Sequence, residues 1–244
     1  MPLWRGIIKN MTESQKIPRH VAVIMDGNGR WAKAQGKPRV FGHKAGMDAV
    51  ERTAIYAQKR GIDVLTVYAF STENWSRPMD EVKFIMSLPI DFYKRFVPVL
   101  NRENIRIGMI GDREGVPDAT LKAIDQAAVD TAQNTGMLLN FAMNYGGRAE
   151  ILQAIRKLAN SDMDLSALTE EKFSDAMYTS GLPDPDLIIR TSGELRLSNF
   201  LPWQSVYSEL YFTDVLWPDF DEAELDKALE EFKKRDRRIG GLSK

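Results

Sequence analysis

The residues best suited to chemistry in this chain are Asp26-Gly27-Asn28-Gly29-Arg30-Trp31, which follow directly on the apolar run Val21-Ala22-Val23-Ile24-Met25. Gly27 and Gly29 allow positive φ and close backbone approach, Arg30 offers a bidentate oxyanion donor, and Asp26 offers a hard oxygen ligand for Mg²⁺. Carboxylate and arginine in one loop suit a metal-chelated phosphate ester. Two further polar clusters also follow apolar runs. One is Ser71-Thr72-Glu73-Asn74-Trp75-Ser76-Arg77-Pro78, and the other is Arg190-Thr191-Ser192-Gly193-Glu194-Leu195-Arg196-Leu197-Ser198-Asn199. Together with Arg39 and His43 these segments supply Arg30, Arg39, Arg77, Arg190 and Arg196. Five arginines exceed the need of one phosphate and point to two polyanionic ligands side by side.

Strand-like apolar runs recur at roughly 20–25, 63–70, 105–110, 137–144, 186–190 and 209–216. Helical patterns fill the intervals near 43–60, 80–100, 117–134, 148–160, 169–179 and 221–238. This alternation predicts an α/β fold with a central, mostly parallel six-stranded sheet flanked by helices. Reactive residues at strand ends then share the carboxyl edge of the sheet, where α/β proteins place ligands. The last helical pattern opens with Asp221 and Glu224 and closes with Lys233, Lys234, Arg235, Arg237 and Arg238, a charge order that suits the helix macrodipole. No composition break, linker or internal repeat divides the chain, so the reading is a flexible segment over 1–17 and one domain over 18–244.

Composition narrows the function. The 244 residues are 43% hydrophobic and 27% charged, enough for one domain with a substantial core. A net charge of −1 disfavours nucleic-acid binding and makes any cationic site a local cluster. Zero cysteines exclude disulfides, thiolate nucleophiles and cysteine-held zinc, two histidines leave little for a histidine metal site, and the chain suits a reducing cytosol. Arg5, Lys9, Glu13, Lys16 and Arg19 leave no apolar core for a signal peptide, and no run approaches a membrane span.

The full set of motifs resembles the cis-prenyltransferase family. The resemblance is carried by Ile24-Met25-Asp26-Gly27-Asn28-Gly29-Arg30-Trp31, Phe41-Gly42-His43-Lys44-Ala45-Gly46 and Tyr68-Ala69-Phe70-Ser71-Thr72-Glu73-Asn74-Trp75. It continues through Asn144-Tyr145-Gly146-Gly147-Arg148, Asp186-Leu187-Ile188-Ile189-Arg190-Thr191-Ser192-Gly193-Glu194 and Phe212-Thr213-Asp214-Val215-Leu216-Trp217-Pro218. It runs in order from about residue 18 to the C-terminus. The chain lacks the Asp-Asp-x-x-Asp motifs of trans-prenyltransferases. The resemblance implies Mg²⁺-dependent condensation of farnesyl diphosphate with several isopentenyl diphosphates, giving a cis-polyprenyl diphosphate near C55, a lipid-carrier precursor for bacterial cell-wall polysaccharide.

It also implies residue roles. Asp26 and Asn74 are the catalytic candidates, with Asn74 orienting substrate or relaying a proton because an amide is a poor base. Asp26 and Glu209 are the metal candidates. Arg30, Arg39 and Arg77, with the loop amides, fall at the allylic diphosphate, and Arg190, Arg196 and Ser198 fall at the isopentenyl diphosphate. Gly27, Asn28, Gly29, Trp31, His43, Ser71, Thr72, Glu73, Trp75 and Leu197 complete the substrate-binding candidates. Position 195 is Leu where some relatives carry a His that helps bind metal, so Asp26 and Glu209 have to suffice.

A growing chain needs an apolar channel. The segment 82–100 is apolar around most of its circumference and is the candidate wall between helix and sheet, with Pro89 and Pro98 bending or breaking it. Ala69 leaves room, and Met137 and Leu139 are candidate floor residues. A homodimer through the region around residues 209–217 and a cytoplasmic enzyme with transient membrane contact complete the expectation. Two other classes compete: a non-catalytic lipid-binding or regulatory subunit, which would be expected to lose the acidic loop, and a phosphate-ester hydrolase, which would want a second carboxylate at position 28, where Asn stands.

Overall fold

Runs that are apolar on both faces form the sheet, as they must when helices cover both sides. The computed structural model describes residues 17–235. In chain order its elements are β1 (His20–Ile24), α1 (Asn28–Ala34), α2 (Arg39–Lys59), β2 (Val64–Tyr68), α3 (Met79–Arg102), β3 (Arg106–Ile110), α4 (Asp118–Asp130), β4 (Leu138–Ala142), α5 (Gly147–Ala159), α6 (Glu170–Ser174), β5 (Leu187–Arg190), β6 (Glu209–Phe212) and α7 (Glu222–Lys234). Every residue of β1 and β5 is buried, and β2 is buried except at Tyr68. The six strands run parallel in the order β3-β4-β2-β1-β5-β6. β1 therefore lies between β2 and β5, and the loops leaving all three open side by side at the carboxyl edge. A sheet whose order reverses at one strand opens a crevice there.

One face of the sheet packs Val21, Val23, Leu65, Val67, Leu139 and Ile189 against α2, α3, α4 and α7. The other packs Ala22, Ile24, Ala142 and Ile188 against Tyr145, Phe200 and Leu201. Among the described residues the chain forms one domain around this sheet. The 1–17 expectation lies outside the described residues except at position 17, and so does the end of the last helical pattern beyond 235.

Local patterning misjudged four things. Residues 28–34 form a helix, not an extended loop: Gly27 turns left-handed at φ +104° and α1 begins at the next residue. The sixth strand stops at Phe212, because the backbone at 213–215 pairs instead with the loop after β5, through Ser192 amide to Val215 carbonyl (2.8 Å) and Gly193 amide to Thr213 carbonyl (2.9 Å). The pattern at 169–179 shortens to α6. Finally, α3 runs unbroken through Pro89 and Pro98, held by α4, whose Thr120 hydroxyl donates to the Met86 carbonyl (2.6 Å) one turn before Pro89.

Candidate functional site

Asp26 sits at the carboxyl end of β1 and is anchored through its backbone. Its amide donates to Thr191 Oγ1 (2.9 Å), and the Thr191 hydroxyl donates back to its carbonyl (2.7 Å). Thr191 follows β5, so the ends of the neighbouring strands β1 and β5 lock the residue in place. The carboxylate accepts from the Gly27 amide (2.7 Å) and from Arg190 Nη2 (3.0 Å), with Arg30 Nη2 at 3.6 Å. Gly27 is required twice over: its φ is left-handed, and a Cβ there would lie 2.9 Å from Leu216 Cδ2. Gly29 has a different reason, since its Cβ would meet the Arg39 guanidinium at 3.1 Å.

The five arginines gather in two groups around two carboxylates, Glu81 and Asp26. Arg39, Arg77 and His43 converge on Glu81, at 3.4, 3.0 and 3.3 Å. Arg30, Arg190 and Arg196 surround Asp26 and the loop after β5. Arg30 donates from α1 to Ser192 of that loop, and within the loop Arg196 pairs with Glu194. Arg190 is buried, and its Nη1 donates to the Arg196 carbonyl (2.6 Å) and Ser198 Oγ (2.7 Å). Burial pushes the His43 imidazole below its ordinary range against the pull of Glu81, so it is neutral at pH 7. Burial acts to raise the Glu81 carboxyl, but Arg39, His43 and Arg77 outweigh it and hold the group below the usual range.

The 71–77 segment stands across the crevice as a short 3₁₀ turn. Ser71 and Asn74 cap it reciprocally, with Asn74 Oδ1 accepting from the Ser71 amide (3.1 Å). Glu73 accepts from Asn199 Nδ2 (2.8 Å) and from the Thr72 hydroxyl (3.3 Å). Trp75 donates to Asn144 Oδ1 (2.7 Å) and packs edge-on to Phe70, while Trp31 donates to Asp219 (2.7 Å). Leu197 packs into the second core cluster.

An apolar cavity of about 820 Å³, counted out to its open mouth, starts beside this crevice. Asn28, His43 and Gly46 line it near the polar residues, and Ile107, Ala123, Ala127 and Phe141 line it deeper, with Ile85 and Phe92 of α3 along one wall. Ala69 is in the lining. Met137 and Leu139 are not: both are packed in the core, and their neighbours Ile107 and Phe141 face the space instead.

Glu209 is a second correction. It pairs in register with Leu187 at the start of β5, whereas Phe212 is level with Arg190 and Arg190 with Ile24. In a parallel sheet that puts Glu209 at the amino edge, away from Asp26, where it accepts from Arg235 (2.9 Å). Within one chain the two carboxylates cannot share an ion. Among the described residues no group of three or more His, Asp or Glu side chains is arranged as a metal cage. Asp26 alone still fits Mg²⁺, which keeps several waters and takes one or two carboxylates plus substrate phosphate oxygens.

Glu81 belongs to the site but was not named from sequence, whereas Thr191, Ser192, Glu194 and Asn199 were read there as members of one polar cluster without individual roles. The Arg77 and Glu81 spacing, four apart at the start of a helix, was the signal for Glu81.

The family model described as "Putative undecaprenyl diphosphate synthase" matches residues 24–240. An isoprenyl transferase of Lactococcus lactis is 64% identical over 96% of this chain and 98% of its own length. An isoprenyl transferase of Listeria monocytogenes is 56% identical over 95% and 94%. Among solved structures, lavandulyl diphosphate synthase from Lavandula x intermedia, in complex with dimethylallyl diphosphate, is similar with a TM-score of 0.90 at 36% identity, over 93% of this chain and all of that one. A "probable undecaprenyl diphosphate synthase" from Campylobacter jejuni is similar with a TM-score of 0.77 at 31% identity, over 92% and 99%.

Proposed function

The chain belongs to the undecaprenyl diphosphate synthase family of isoprenyl transferases, and on that premise we propose that it elongates farnesyl diphosphate with successive isopentenyl diphosphates to a cis-polyprenyl diphosphate near C55. The observation that carries this reading is the apolar cavity that opens beside the arginine groups around Glu81 and Asp26 at one sheet edge. Two cationic sites suit two diphosphates, and an adjoining apolar space suits the growing hydrocarbon.

The allylic diphosphate lies between the two groups, against Arg39 and Arg77 of one and Arg30 of the other, with its hydrocarbon tail entering past Asn28 and His43. Isopentenyl diphosphate lies against Arg196 and Ser198. The allylic C–O bond breaks, the isopentenyl double bond supplies the electrons of the new C–C bond, and a proton leaves the product. Negative charge grows on the departing diphosphate, where fixed arginines stabilise it without reorganising. Asp26 would hold Mg²⁺, which would supply Lewis-acid stabilisation of the same charge. Arg190 holds the Asp26 carboxylate and the Ser198 loop in place. Asn74 and the Ser71 hydroxyl orient the reacting end. The neutral His43 lines the entry as an uncharged donor or acceptor.

The product is a lipid-carrier precursor for cell-wall polysaccharide. The enzyme acts in the cytoplasm as a homodimer and touches the membrane only to pass on its product. Among the described residues no helix is long and apolar enough to cross a membrane. A monomer mass by light scattering at micromolar concentration would refute the dimer.

The deciding experiment incubates the protein with farnesyl diphosphate, labelled isopentenyl diphosphate, Mg²⁺ and detergent, and resolves chain length by chromatography. Asp26→Asn is the better control than Asp26→Ala, because it keeps an oxygen facing Arg190. A discrete product near C55, lost without Mg²⁺ and in the variant, is the expected outcome. Release of phosphate without isopentenyl diphosphate would favour hydrolysis, and full activity of Asp26→Asn would overturn the metal-diphosphate role.

A further inference from the structure

One side chain ties together three loops that reach the crevice from different strands. Asn199 Nδ2 donates to Glu73 Oε1 (2.8 Å), its Oδ1 accepts from the Arg148 amide (2.9 Å), and its carbonyl accepts from the Gly147 amide (2.8 Å). Glu73 lies in the segment after β2 that carries Ser71, Asn74 and Arg77. Gly147 and Arg148 open α5 after β4. Asn199 itself follows Arg196 and Ser198 after β5.

The loop that carries Asn199 is firmly seated. Ser198, Asn199 and Leu201 are all left-handed, at φ +49°, +65° and +50°, conformations that Asn tolerates and that Ser and Leu adopt only when their surroundings impose them. Phe200 and Leu201 are fully buried in the second core cluster. Gly146 leaves the space the clasp needs: a Cβ there would lie 2.4 Å from Thr72 Oγ1 and 3.1 Å from Asn199 Nδ2.

We propose that Asn199 is a positioning residue that sets the separation of the two diphosphate subsites, holding the 71–77 segment at a fixed distance from Arg196 and Ser198. The assignment rests on the two-subsite reading above. Asn199 need not touch either substrate. Its hydrogen bond to Glu73 governs where the segment stands, and a displacement of about 1 Å between reacting groups can cost roughly 100-fold in rate.

Reversal of the hydrogen bond tests this. Asn199→Asp keeps the acceptor for Arg148 but sets a carboxylate against Glu73, and Glu73→Gln in the same protein supplies a new donor toward that carboxylate. Steady-state kinetics with farnesyl and isopentenyl diphosphates, and amide hydrogen exchange over residues 71–77, are measured for the wild type, both single variants and the double variant. Expected are a fall in kcat of roughly tenfold or more in Asn199→Asp, faster exchange at 71–77, and recovery of most of both effects in the double variant. Losses that simply multiply in the double variant overturn the proposal. So does unchanged exchange in Asn199→Asp, whatever the activity. A wild type that does not condense the two substrates refutes the proposed function instead, and the exchange data then decide the clasp alone.

Discussion

Arg190 and Arg196 are six residues apart and do different work, because one is buried and the other is 60% exposed at its side chain. Arg190 commits Nη1 to the Arg196 carbonyl and Ser198 and Nη2 to Asp26, so it is part of the scaffold. Among the described residues Arg196 pairs through its side chain with the neighbouring Glu194 alone, and it can turn toward a ligand. Exposed substitutions of this kind shift stability by no more than about 0.5 kcal/mol. Arg196→Ala is therefore expected to raise KM for isopentenyl diphosphate about tenfold or more while leaving the urea midpoint in place. Arg190→Ala leaves Asp26 and the Ser198 loop without their buried partner, and urea denaturation is expected to show a loss of about 3 kcal/mol. Equal stability losses in the two variants would refute this division.

At the scale of elements, α1 is the vulnerable part. Seven residues with an internal glycine do not form a stable helix alone. Packing against α2 holds it, and a Cβ on Gly42 of α2 would lie 1.9 Å from the Asn28 carbonyl oxygen. Gly42→Ala must push α1, and Arg30 with it, away from the crevice. A stability loss of about 2–3 kcal/mol with strongly reduced turnover is expected from thermal melting and the condensation assay. The cavity offers the complementary prediction. Ala127 lies in its deeper part with Ile107 and Phe141, so Ala127→Phe shortens the space available to a growing chain. Products shorter than those of the wild type are expected by chromatography, and an unchanged length distribution would exclude this end as the floor.

The whole molecule carries a pH dependence that starts far from the crevice. His20, 1% exposed on β1, presents Nδ1 to the Pro183 carbonyl (2.7 Å) and Nε2 to the Thr66 hydroxyl (2.8 Å), which in turn accepts from Asn140 Nδ2 (3.3 Å). A carbonyl only accepts, so the neutral tautomer carries its proton on Nδ1 and accepts from Thr66. Burial lowers the His20 pKa from 6.5 to about 4. The unfolded chain then binds a proton before the folded one does. Stability from this group is complete above pH 6.5 and is lost as pH falls toward 4, by up to about 3 kcal/mol. Urea denaturation at pH 7.5 and 4.5 is expected to show a smaller drop for His20→Gln than for the wild type, and parallel drops would refute the assignment.

Periodicity and residue type by themselves determined the six strands, their parallel arrangement and the edge at which Asp26, Ser71 and Arg190 emerge, because these follow from local runs buried on both faces. They also determined the five arginines, whose types could be read at once. Only the tertiary structure decided how those arginines are shared. Glu81 drew Arg39, Arg77 and His43 together, and Asp26 drew Arg190 and Arg30. α1 was hidden because a seven-residue helix with Gly29 inside it shows no apolar period. Glu209 was misplaced because only the strand register assigns a residue to the amino or carboxyl edge. Met137 and Leu139 gave way to Ile107 and Phe141 as cavity lining for a similar reason: strand parity names a face, but depth along that face depends on which helices cover it. Contacts such as Asp26 to Arg190 or Glu73 to Asn199 join residues more than a hundred positions apart, and the strand order β3-β4-β2-β1-β5-β6 is what brings them together.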